Sequence, residues 1–158
     1  MLFSDGTFSV SGDNREGQCD SELVLTTNHN QNVNLIATRL SYKNLQTTAV
    51  QVSCGNLHTA VLFSNGAIAL LGNNMNGQCE AGNLRNDLKA VRVACGAAHT
   101  VVLYENGLVM AVGDNFSGQC NVDAFNPGSS GTMQMLQMHP PASIANISCG
   151  QKHTAVLY

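Results

Sequence analysis

Short, almost unbroken apolar runs recur along the chain in pairs: "HTAVLF" (58–63) with "AIALLG" (67–72), and "HTVVLY" (99–104) with "LVMAVG" (108–113). Each is about six residues long and rich in β-branched or large apolar side chains, which predicts strands rather than helices. Apolar positions hardly alternate with polar ones, so these strands are expected to be buried on both faces. Between the members of each pair stands "SNG" or "ENG", and a third version, "SDG", precedes "TFSVSG" near the start. Asn-Gly and Asp-Gly tolerate positive φ, so two-residue hairpin turns are expected at Asp5-Gly6, Asn65-Gly66 and Asn106-Gly107. No long amphipathic helix is indicated.

The pairs belong to a larger repeat. "VSCGNLHTAVLFSNGAIALLGNNMNGQC" (52–79) lies over "VACGAAHTVVLYENGLVMAVGDNFSGQC" (93–120) without a gap. This matches Cys54 to Cys95, His58 to His99, Gly66 to Gly107, Gly72 to Gly113 and Cys79 to Cys120. A third copy is split. "ISCGQKHTAVLY" (147–158) supplies its front half, with Cys149 and His153, and "LFSDGTFSVSGDNREGQC" (2–19) its back half, with Gly6, Gly12 and Cys19. The segments 20–51, 80–92 and 121–146 vary between copies. A unit of roughly 40 residues made of strands is the size of a propeller blade. The expected fold is therefore all-β, a single partial propeller domain over 1–158 with about three blades of four antiparallel strands. Closed propellers typically have about four to eight blades. The chain is accordingly expected either to be an excerpt of a longer propeller or to close a ring by self-association through its open blade ends.

The shared pattern CGxxHT…NG…GxNxxGQ resembles the regulator of chromosome condensation repeat, whose members usually form seven-bladed β-propellers. The resemblance covers most of the chain apart from the variable segments. Two departures stand out: Ser11, Leu71 and Val112 occupy the slot where that family commonly has Trp, and Cys19, Cys79 and Cys120 the slot where it commonly has Leu. A small buried apolar slot is expected for these cysteines, since reduced Cys packs as a small hydrophobe. The resemblance implies a non-catalytic surface for recognising another protein. It also implies two alternatives, a propeller segment of a HECT-type ubiquitin ligase or a guanine-nucleotide exchange factor for a small GTPase, without choosing between them.

Cys54 and His58, Cys95 and His99, and Cys149 and His153 each stand four apart, but a blade offers only two such ligands where structural zinc takes four at one point. No metal is expected. Histidines recurring in every unit suit a scaffold, with imidazole and hydroxyl of the His-Thr pair bonding backbone groups, rather than a unique catalytic constellation. His29 and His139 lie in polar or proline-marked stretches without a nucleophile, and the methionines Met133, Met135 and Met138 read as packing or an adaptable contact. Gly72 to Gly77 imitates a phosphate loop, yet Gln78 and Cys79 stand where Lys and Ser or Thr are needed. No cofactor is expected. The repeated glycines, Asn14, Asn74 and Asn115 are instead expected to build one turn three times. Within that turn the residues between Asn and Gly change: Arg15-Glu16, Met75-Asn76 and Phe116-Ser117. Variable tips on a fixed frame are how rigid scaffolds carry recognition, so these six are the expected partner contacts.

Composition adds exclusions. Of 158 residues 44% are apolar and only 11% charged, with a formal net charge of −3. The seven basic residues are scattered, at Arg15, Arg39, Lys43, Arg85 and Lys152 among others, which offers no footprint for nucleic acid or for a membrane surface. No apolar run approaches the roughly 20 residues of a membrane span, and "MLFSDGTFSV" has no secretion-signal pattern. An intracellular setting, cytoplasmic or nuclear, is the expectation.

Overall fold

A computed structural model describes residues 1–4, 8–19, 47–123 and 144–158, and the backbone of 33–36. The expected hairpin at Asp5-Gly6, and His29, His139, Met133, Met135 and Met138, lie outside the described residues.

The described strands are β1 (Val33–Ile36), β2 (Ala49–Cys54), β3 (His58–Phe63), β4 (Ile68–Gly72), β5 (Ala90–Cys95), β6 (His99–Tyr104), β7 (Val109–Gly113), β8 (Asn146–Cys149) and β9 (Thr154–Leu157). All pairings are antiparallel, in three sheets ordered β1-β4-β3-β2, β5-β6-β7 and β8-β9. The fold is a β-propeller. One blade thus shows all four expected strands. Its fourth, β1, comes from the variable segment 20–51. Half-unit 2–19 sits before the first blade, with Leu2 bridged to Phe8 as Leu62 is to Ile68.

Burial explains the unbroken apolar runs. Every residue of β3 and β6 is buried. Ala60, Leu62 and Leu70 pack with Val93, Val102 and Tyr104 between the first two sheets. On its other face the first sheet packs Val61, Phe63 and Leu71 against Phe8. Val101 and Leu103 meet Ile147 and Val156 between the second and third. The inner strands β3, β4, β6 and β7 therefore each serve two cores at period two, so both of their faces must be apolar.

The hairpins differ from expectation by one residue. Phe63 donates its N–H to Ala67 O, and Gly66 donates to Phe63 O (2.8 Å), so the loop is Ser64-Asn65-Gly66; Tyr104, Gly107 and Leu108 repeat the pattern. This is a three-residue loop, a turn closed by glycine at positive φ, +84° at both Gly66 and Gly107. Asn65 Oδ1 accepts the Ala67 N–H, and that side-chain bond stabilises the longer loop.

Candidate functional site

The sheets have two rims, one carrying the hairpins and the other the turns that contain the six variable tip residues. Three copies of the latter turn share one hydrogen-bond set. Asn74 Oδ1 accepts the Cys79 N–H (2.8 Å), as Asn14 does from Cys19 (2.7 Å) and Asn115 from Cys120 (2.9 Å). The buried glutamine turns its amide inward, and its Oε1 accepts the second tip residue's N–H: Gln18 from Glu16, Gln78 from Asn76 and Gln119 from Ser117. The first tip residue's N–H goes to the side chain two before it, Asp13, Asn73 or Asp114. Backbone geometry at the tips is thus held independently of what the tip side chains are.

The thiols correct a simple packing account. Cys79 is buried in the core, but Cys19 and Cys120 are only half-buried. In all three copies Sγ–H donates to the carbonyl at the turn's start, at 3.3–3.5 Å. Burial pushes the Cys79 thiol up to about 12, and Cys120 to about 11. Cys95 and Cys149, in the other cysteine slot, rise to about 12 and 11, again chiefly through burial. Protonated thiols at neutral pH are poor nucleophiles and poor metal ligands. Among the described residues no three His, Cys, Asp or Glu side chains converge as a metal site would require.

The histidines form a clamp between blades. His58 Nε2 lies 3.0 Å from Thr100 Oγ1 in the next blade, and that hydroxyl donates to Gln78 O (2.8 Å) back in the first. A threonine has one hydroxyl proton, already given to a carbonyl, so His58 Nε2 must be the donor to Oγ1. The next junction repeats this, His99 to Thr154 (3.2 Å) and Thr154 to Gln119 O (2.7 Å). The imidazole therefore bonds a hydroxyl of the neighbouring blade, where the sequence led us to expect a backbone partner. Its other nitrogen, Nδ1, is buried without a hydrogen-bond partner in both His58 and His99. The ring packs directly against glycine: a Cβ on Gly55 would stand 2.2 Å from His58 Cε1, and one on Gly96 or Gly150 2.0 Å from His99 or His153 Cε1.

This geometry requires neutral imidazoles, since a proton on Nδ1 would be buried with nothing to accept it. Desolvation accordingly holds His58 down at about 4, with His99 adding to the effect, and lowers His99 as well. An unfolded histidine binds its proton near pH 6.5, the buried one only near 4. In that window the unfolded chain binds more protons, so stability should fall as pH drops from 6.5 towards 4, by up to about 1.4 kcal/mol per pH unit for His58. Urea midpoints measured from pH 7 to 4.5 would show this. His58→Gln, which keeps an N–H donor and cannot be charged, should flatten the profile; a midpoint in the natural chain that does not move with pH would contradict the neutral clamp.

The sequence-derived tips fall into two kinds. Phe116 and Met75 are 94% and 88% exposed, and Asn76 and Ser117 are exposed beside them. Arg15 bends back onto its own turn, Nη2 2.6 Å from Asp13 Oδ2. Glu16 is no free tip, since its Oε2 accepts from Asn73 Nδ2 (3.0 Å) in the next turn. Leu57, in the neighbouring Cys-Gly-x-x-His turn, adds an exposed apolar side chain that the repeat alignment did not single out. Also missed were Gly55, Gly96, Gly150 and the three glutamines, although their identity in every copy was visible; the hydroxyls of Thr100 and Thr154 bond backbone carbonyls, as expected of the His-Thr pair. Gly12, Gly72 and Gly113 lie at φ +131°, +106° and +118°, where the strand leaves for the turn.

Residues 90–119 match the model of the "Regulator of chromosome condensation (RCC1) repeat". No curated protein sequence matches the chain. Among solved structures, that of Kap60 bound to yeast RCC1 (Prp20) contains a chain matched at TM-score 0.55 and 12% identity, over 99% of this chain and 38% of that one. The C-terminal domain of gp131 from bacteriophage phiKZ shares 31% identity over 45% of this chain and 19% of its own, at TM-score 0.40. For human WBSCR16 the values are 19% identity, 69% and 31% coverage and TM-score 0.46. The chain spans about a fifth to two-fifths of the length of these matched chains.

Proposed function

The chain carries the regulator of chromosome condensation repeat in a β-propeller fold, and on that premise we propose that it is a non-catalytic protein–protein interaction module which binds through the rim of the variable turns. One observation carries the reading: two large apolar side chains, Met75 and Phe116, stand almost fully exposed at equivalent places in adjacent blades, on backbone that is hydrogen-bonded into one geometry. An exposed Phe costs solubility and gives the fold nothing in return. Phe, Met and Arg are also enriched in interface cores, and all three occur at the first tip position. Because the frame is already ordered, little further entropy is lost there on binding. The reading includes an intracellular setting, which suits six unpaired thiols.

The test is quantitative affinity purification with the natural chain and a Met75→Ala/Phe116→Ala variant, whose exposed substitutions leave the core intact. Anchors at an interface centre are worth about 2 kcal/mol or more. At least one captured protein should therefore fall by ten-fold or more with the variant. An unchanged set of captured proteins would reject this rim.

A further inference from the structure

We infer that the partner of this rim presents a basic surface with an apolar recess for Phe116 and Met75; this rests on the rim reading above and adds the chemistry of the occupant. Across the turn-rim segments 11–19, 72–80, 113–121 and 150–153 there are four carboxylates, Asp13, Glu16, Glu80 and Asp114, against two cations, Arg15 and Lys152. Arg15 is closed onto Asp13, so the charge left for a partner is that of Glu16, Glu80 and Asp114 against Lys152. The bonds of Glu16 and Asp114 go to neutral amides, of Asn73 and Gln119, which orient the carboxylates without cancelling them. The side chain of Glu80 is exposed in the same turn as Met75.

The opposite rim carries no such excess. In the described segments 64–67, 84–89 and 105–107, Arg85 is closed onto Asp87 at 2.6 Å, which leaves Lys89 against Glu105. The exposed apolar tips therefore share their rim with the acidic groups, and the two features together define the occupant. Nucleic-acid phosphates and anionic lipid headgroups would be repelled there. A protein surface carrying Lys or Arg around an apolar pocket would be steered in by the carboxylates and held by the anchors.

The probe is a random dodecapeptide display library panned on the purified chain, with selected peptides resynthesised and measured by fluorescence anisotropy. Selected peptides should carry net positive charge and at least one large apolar residue. Binding should weaken ten-fold or more with Phe116→Ser, several-fold with Glu80→Lys, and several-fold between 50 and 300 mM salt, in the way a charge-steered contact does. Peptides that depend on Phe116 but are acidic or salt-indifferent would overturn the basic-partner inference and leave the rim reading standing. Peptides indifferent to Phe116 and Met75 would overturn both, and so would a library yielding no binder. Circular dichroism of each variant confirms that the fold is retained.

Discussion

Gly96→Ala is expected to cost at least about 3 kcal/mol, the upper end of what overpacking a core costs, and to leave little folded chain at 37 °C. The added Cβ would lie 2.0 Å from His99 Cε1, 2.3 Å from Nδ1 and 2.7 Å from Gly150 O. Two of these atoms belong to an imidazole that cannot swing aside without breaking its bond to Thr154. The third belongs to the next blade's backbone. Relief therefore requires opening the junction between blades, not a rotamer change. Gly77→Ala is the contrasting case. Gly77 sits at φ +80°, but its Cβ would meet nothing nearer than 3.9 Å, so only the left-handed backbone resists, by roughly 1–2 kcal/mol. Urea unfolding of the two variants separates contact from conformation. Equal midpoints would show that the imidazole does not rest on the glycine.

That comparison shows where the sequence is legible and where it is not. Blade size, strand positions and double burial follow from local signals: six-residue apolar runs, a recurring spacing and Asn-Gly between runs. The length of the hairpin loop does not, because both the two-residue and three-residue solutions use Asn-Gly, and the choice depends on which carbonyl Gly66 N–H finds. Recurrence marked His58 and His99 as scaffold, but not that their partners lie in the next blade. Gly55 could have been a turn residue at positive φ like Gly72, and only the ring lying on its Cα makes it a packing glycine. The tip position was legible because variation on a constant frame is a pattern in the letters. The inward set of Glu16 was not, because its partner Asn73 is 57 residues away.

Thr100→Val tests whether the clamp between blades contributes stability as a unit. Valine fills nearly the same volume, so the change removes one hydroxyl from a site where Thr100 is 0% and His58 1% exposed. Two groups then lose their partner together, the His58 Nε2–H and the Gln78 carbonyl. Each buried polar group left unpaired costs about 1–3 kcal/mol, so the loss should be roughly 2–6 kcal/mol, well above the few tenths expected of the exposed control Thr48→Val. His58→Phe in the Thr100→Val background removes one of the orphans, and the double variant should be less damaging than the sum of the singles. The effect should also reach the rim. Gln78 holds the Asn76 N–H through its side chain while its carbonyl is held by Thr100, so freeing the carbonyl loosens the turn that presents Met75. Amide exchange at Asn76 and Cys79 should quicken in Thr100→Val more than exchange at Ser117 and Cys120, whose turn is clamped separately by Thr154. A stability loss no larger than that of Thr48→Val, or equal acceleration in both turns, would mean that the blades are held by their apolar faces alone.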